Sequence, residues 1–153
     1  MPTIQINNEE LEFEYIYYCD SVNGNDSRDG LTEATSLKTI QAAINKIVIN
    51  TNSAIVLLPN SLFTGAVRGT GFINIPANKQ ITFIGQLLIN DINTIPIIRT
   101  TDFNCIQNHS TKEINFINIR IEALGSQSTG GDGAYALLLH MINASSTINF
   151  YNC

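Results

Sequence analysis

The densest gathering of oxygen ligands in the sequence is Asp20, Asn23, Asn25, Asp26 and Asp29. Such a set could bind Ca²⁺, which takes roughly six to eight oxygens from carboxylates and carbonyls. It lacks the EF-hand spacing and the closing bidentate Glu, and the same residue types form Asx turns on their own backbone with no metal at all. Farther along, a basic side chain could abstract a proton, or paired carboxylates could act as acid and base. The groups of that kind between Asp91 and Asp132 are Arg99 with Asp102, His109, Lys112 with Glu113, and Arg120 with Glu122. Solvated strand faces account for them, so no catalytic residue, metal or cofactor is expected.

His140 lies in Ala136-Leu-Leu-Leu-His-Met-Ile142, where strand alternation turns it either inward or outward, and a satisfied structural histidine is expected. Gly125-Ser-Gln-Ser-Thr-Gly-Gly-Asp-Gly133 has no Lys-Ser or Lys-Thr after it and so resembles no phosphate loop; it reads as a protruding flexible insertion. Cys19, Cys105 and Cys153 match neither a zinc site nor a disulfide framework and read as reduced, mostly buried thiols.

The surroundings of these residues are apolar and weakly charged. Hydrophobic types make up 44% of the chain and charged types only 14%, enough for one domain with a continuous core. Eight of the thirteen carboxylates precede residue 34, where only Arg28 offsets them. Up to and including Glu33 the chain therefore carries −7, and beyond it +2, which leaves no basic stripe for a phosphate backbone and argues against nucleic acid as a partner. Met1 to Tyr15 has neither a basic n-region nor an apolar h-region, and no segment approaches roughly 18 consecutive apolar residues; neither a signal peptide nor membrane insertion is expected.

The elements follow from periodicity. Thr3 to Ile6 alternates, Asn7 to Glu14 is acidic, and Tyr15 to Cys19 reads as a strand. Asp20 to Gly30 is a turn-rich loop. Ser36 then stands as an N-cap before Leu37, Ile40, Ala43, Ile44 and Ile47, spacings of three and four that predict one amphipathic helix. Beyond it come short runs rich in Ile, Leu, Phe and Val: Ala54 to Leu58, Phe72 to Ile75, Gln80 to Ile84, Ile95 to Ile98, Phe103 to Ile106, Ile114 to Ile121, Ala136 to Ile142 and Thr147 to Tyr151. Few Asn-Gly or Asp-Gly hairpin signals join them, which argues against an antiparallel meander, sandwich or jelly roll.

A repeat runs through these strands. Ile81-Thr-Phe-Ile-Gly85 recurs as Ile114-Asn-Phe-Ile-Asn118 and again as Ile148-Asn-Phe-Tyr-Asn152, two nearly equal steps along the chain. A recurrence within the range of roughly 20–50 residues marks a solenoid. Ile81, Phe83, Ile114, Phe116, Ile148 and Phe150 would form its inward ladder, with Gly or Asn at a corner.

At this point the residues meet a family pattern. Tyr17-Tyr-Cys-Asp-Ser-Val-Asn-Gly-Asn-Asp-Ser-Arg-Asp-Gly-Leu-Thr32, followed by Leu37-Lys-Thr-Ile-Gln-Ala-Ala-Ile-Asn45 and Ala54-Ile-Val-Leu-Leu58, resembles the N-terminal start of pectate-lyase-like β-helix proteins. The likeness covers residues 15 to 60 by motif and departs where Pro59-Asn-Ser-Leu-Phe63 replaces the usual Gly step. It implies an all-β fold, a right-handed parallel β-helix with an N-terminal capping α-helix, divided into an acidic attachment segment (1–14), a capping strand, loop and helix (15–50) and coils (51–153) that continue beyond 153 or are covered by another chain. It further implies a virion tail protein, the N-terminal portion of a phage tail fibre or tailspike. Such a protein would be made in the host cytoplasm, form a homotrimer, dock other virion proteins through residues 1 to 14 and present a ribbed surface to cell-surface glycans. A polysaccharide lyase or glycoside hydrolase of the same superfamily, or a bacterial surface adhesin, is the alternative; the lack of a charged cluster on the later coils argues against the enzyme.

Overall fold

The computed structural model describes residues 1–6, 8–65, 73–88, 91–100, 106–124, 139–141 and 146–153. The chain opens with a hairpin, β1 (Thr3–Ile6) and β2 (Glu9–Glu12), paired antiparallel with Ile4 opposite Leu11. Asn8 takes the positive φ, 68°, that its turn requires; Asn tolerates this because its short side chain can bond locally. β3 (Tyr15–Cys19) follows, then the Gly- and Asp-rich loop, one turn of 3₁₀ helix at Glu33–Thr35, and the single α-helix among the described residues, α1 (Ile40–Lys46).

From there on the described elements are almost all strand: β4 (Asn52–Leu57), β5 (Leu62–Gly65), β6 (Ile73–Ile75), β7 (Gln80–Gly85), β8 (Ile97–Thr100), β9 (Ile106–Asn108), β10 (Ile114–Ile117), β11 (Arg120–Ala123), β12 (Leu139–Met141) and β13 (Ile148–Tyr151). They form three parallel sheets, ordered β3-β4-β7-β10-β13, β5-β8-β11 and β6-β9-β12. The protein is all-β with parallel sheets and, among the described residues, one α-helix. Each pass of the chain visits the sheets in the same order, and the loops absorb differences in length: Ile98 pairs with Ile121 after a short step along the chain, whereas Ile81 pairs with Ile114 after a longer one. Among the described residues no helix is long and apolar enough to cross a membrane.

Strand alternation decides what lies inside. Ile81, Phe83, Ile114 and Phe116 have no exposed surface, and they share one cluster with Phe63 and Ile98 of the second sheet and Ile73, Ile75 and Ile106 of the third. Each fully buried side chain of this size adds about 1.5–3 kcal/mol. Ile148 is only partly buried, and Phe150, expected inside, is 50% exposed because β13 is the outermost described strand of its sheet. The rings nevertheless stack: Phe83 to Phe116 at 4.8 Å and Phe116 to Phe150 at 5.2 Å between centroids.

The helix differs from expectation at its start. Thr39, not Ser36, is the N-cap, its hydroxyl accepting from the Ala42 N–H at 3.2 Å. Ser36 ends the 3₁₀ turn and is buried. Leu37 precedes the helix, where its N–H donates to the Tyr18 carbonyl and its carbonyl accepts from the Asp20 N–H; this pairs it with Cys19 as a strand partner. Ile40, Ala43 and Ile44 form the buried helical stripe, and Ile47 closes it as C-cap. α1 packs on β3, β4 and β6. Gly24 has to be glycine, since a Cβ there would sit 2.2 Å from the Leu37 carbonyl oxygen.

The other ordered corner lies after the inward ladder. Asn118 and Asn152 sit at φ 55° and 52°, and the Asn152 amide donates to the Asn118 side-chain oxygen at 3.3 Å. The equivalent Gly85 is required by proximity, because a Cβ would meet the Asn118 carbonyl oxygen at 1.9 Å.

Candidate functional site

The Asp20 to Asp29 loop spends its oxygens on its own fold. Asp20 accepts from the Val22 and Asn23 N–H groups, Asn25 from Ser27, and Asp29 from the Leu31 N–H and the Thr35 hydroxyl. Asp26 reaches across the loop to the helix start, where it accepts from the Lys38 and Thr39 N–H groups and the Thr39 hydroxyl at 2.8 to 2.9 Å. Partial burial pushes the Asp20 carboxyl up, but the N–H donors outweigh it and hold it below the ordinary value; the Leu31 N–H and Thr35 hydroxyl do the same to Asp29. The five residues are turn formers and a helix anchor, and among the described residues no three His, Cys, Asp or Glu side chains gather as a metal-binding group.

The titratable groups on the later strands are rearranged by register. Arg99 and Glu122 face each other across β8 and β11, with Arg99 Nε donating to Glu122 at 2.6 Å and Arg120 Nε to the other carboxylate oxygen at 2.6 Å. The Arg99 hydrogen bond and the Arg120 charge hold Glu122 below the ordinary carboxylate range. Lys112 and Glu113 are exposed, and Asp102 and Asp132 lie outside the described residues. His140 falls in β12 opposite Gln107, its side chain outside the described residues, as are Cys105 and residues 125–133. Of the thiols expected to be mostly buried, Cys19 is buried and free, its thiol pushed up by burial, whereas Cys153 is exposed.

Lys79, unremarked in the sequence, is the one buried cation among the described residues. Its ammonium donates to the Ile44 and Ile47 carbonyls at the end of α1, and burial holds it below its ordinary value. A Lys after the Pro76-Ala-Asn78 turn gives no sequence signal of this role.

The outward face of the first sheet holds the remaining candidate. Its outward positions form rows: Ile16, Ala54, Thr82, Asn115 and Asn149 in one, and Tyr18, Val56, Ile84, Ile117 and Tyr151 in the next. The apolar part is covered by the hairpin, whose Ile4, Ile6 and Leu11 pack with Phe13 against Ile16, Ala54, Val56, Ile84 and Ile117. The polar part stays open. Asn149 donates to the Asn115 oxygen at 2.9 Å and to the Glu113 carboxylate at 2.7 Å, so neighbouring strands share an amide ladder. Hairpin and sheet together bound a groove of about 410 Å³, lined by Ile6, Glu9, Leu11 and Glu12 from the hairpin and by Gln80, Thr82, Asn115, Ile117 and Tyr151 from the sheet.

Comparison with protein-family models, with curated proteins and with solved structures finds no match. The function is therefore argued from the chemistry of these surfaces. Arg99 and Arg120, which could have supplied a base, are both tied to Glu122, and the groove sets Glu9, Glu12 and Glu113 among amide, hydroxyl and apolar side chains. The arrangement suits hydrogen bonding to a hydroxyl-rich partner better than proton transfer.

Proposed function

We propose that the chain is a right-handed parallel β-helix, and that it is the N-terminal portion of a virion tail fibre or tailspike that presents this solenoid to cell-surface glycans. The supporting observation is the register Ile81–Ile114–Ile148 with Phe83–Phe116–Phe150, a repeated sequence whose copies lie side by side in one parallel sheet. Parallel strands that return to the same sheet once in each pass, with side chains of three sheets meeting in one core, are what a coiling tube requires. In this reading α1 is the lid on the core, held at its start by Asp26 and at its end by Lys79. Strand edges and apolar tube ends invite aggregation, and a docked helix is a common way to blunt them. The outward amide ladder supplies repeated donors and acceptors for sugar hydroxyls. Ile4, Ile6 and Leu11 are committed to the sheet while Glu10 is exposed, so docking of other virion proteins by residues 1 to 14 would use that carboxylate. A trimer belongs to the same proposal.

The test is adsorption of the fluorescently labelled chain to bacterial cells before and after their surface polysaccharide is stripped. Saturable binding that disappears with the polysaccharide supports the reading. Binding to neither preparation defeats it, and release of unsaturated or reducing ends from polygalacturonate would replace it with the lyase or hydrolase reading.

A further inference from the structure

We propose that the groove beneath the N-terminal hairpin is a binding site for an uncharged pyranose glycan. This rests on the glycan-presenting reading above and gives it a location. Its volume, about 410 Å³, lies within the roughly 300–1,000 Å³ range of ligand pockets and accommodates a short oligosaccharide.

The lining has the two things a sugar needs. Vicinal hydroxyls donate to carboxylates and exchange hydrogen bonds with amides, and the ring's C–H face packs on an aromatic ring. Glu9 and Glu12 have carboxylates with no protein partner among the described residues, and the Gln80 amide is likewise unpaired and half-buried. Glu113 accepts one hydrogen bond, from Asn149, which also fixes Asn115; the pair is thereby oriented before any ligand arrives, which lowers the ordering cost of binding. Tyr151 lines the groove with a half-exposed ring on the same outward row as Ile117.

Charge selects the class of sugar. The described lining holds Glu9, Glu12 and Glu113 and no Lys, Arg or His, so uronate, sialate or sulfated chains are repelled. A metal ion is not the better occupant: no three acidic, His or Cys side chains among the described residues gather as a metal-binding group. Neither is a wholly apolar peptide: Ile6, Leu11 and Ile117 line part of the groove, but such a chain would offer no hydrogen bonds to the Glu9 and Glu12 carboxylates beside them.

The experiment is amide-shift titration of the full chain with cellobiose, lactose and N,N′-diacetylchitobiose, with digalacturonate as the anionic counterpart. The expected result is that at least one uncharged disaccharide moves the amides of Glu9, Glu12, Thr82, Asn115 and Tyr151, while digalacturonate does not. E113Q and Y151A, both at exposed positions, should keep the melting profile and weaken binding about fivefold or more, the loss of roughly one polar or stacking contact. The proposal is overturned if no uncharged probe shifts these amides, if shifts concentrate elsewhere, or if digalacturonate binds equally well. Adsorption to cells separates the two failures. Undiminished adsorption by the E113Q/Y151A double variant overturns the groove and leaves the glycan-presenting reading standing, whereas a native chain that binds no cells overturns both.

Discussion

The ring of Phe116 lies 4.8 Å from that of Phe83, within 4° of parallel, although a full pass of the chain through all three sheets separates them. Both are fully buried, and the third ring, Phe150, extends the stack to the half-exposed outermost strand. The same residue type therefore occurs in one column both sealed from water and open to it. F116A should destabilise by about 3–5 kcal/mol, the usual cost of an aromatic cavity, and F150A by much less, about 1 kcal/mol, because its site is already open to water. Urea unfolding of the two variants, with unchanged m-values, measures the difference.

The corner between Gly85 and Asn118 has no room for a side chain. G85A places a Cβ against the Asn118 carbonyl, and since the obstacle is backbone the strands must move apart. A loss of about 2 kcal/mol or more is expected, against a change within about 1 kcal/mol for N152G, which keeps the left-handed conformation available. Thermal melts of both variants check the order.

Acid should weaken the loop that anchors the helix. Asp20 and Asp29 both have folded values below the ordinary 3.8. A carboxyl depressed on folding contributes stability that is present above its unfolded value and is lost as pH falls through the folded one. Stability should therefore hold level above pH about 5 and fall below about 4, and D29N should make that fall shallower. A series of chemical melts from pH 6 to pH 2 reads it.

Lys79 gives the opposite window. Its folded value lies below 10.5, so between the two values the unfolded chain binds more protons and stability rises with pH. K79M abolishes that alkaline rise and leaves the Ile47 carbonyl without its donor, while the Ile44 carbonyl keeps the Ile47 N–H, at a cost of about 1–3 kcal/mol near neutrality. Melts at pH 7 and pH 10 distinguish the variant from the native chain.

The parts of the fold that could be read from residues alone were those in which a side chain repeats. Ile-x-Phe at 81, 114 and 148 announces its own stacking because the same two residue types recur in register, fully buried at the first two copies. β5 gave little signal, since only Phe63 of its four residues is buried, and β2 gave almost none, with Glu at three of four positions. Leu37 fits the helical stripe by spacing, yet the backbone uses it as a bridge partner of Cys19, and that moved the N-cap from Ser36 to Thr39. Arg99 and Glu122 meet only because two strands well separated in the chain are in register, a relation no local pattern contains. The groove was equally hidden: it exists because a hairpin folds back over one sheet, and in the sequence Glu9 and Glu12 read as part of an acidic attachment segment and Glu113 as solvated charge.

The most direct test of the whole account is a nuclear Overhauser spectrum of the chain with selectively labelled Ile methyls and Phe rings. Contacts joining Ile81 to Ile114 and Ile114 to Ile148, with ring contacts from Phe116 to both Phe83 and Phe150, are the expected result. Contacts of an antiparallel pattern, or a Phe116 ring that meets neither partner, would contradict it.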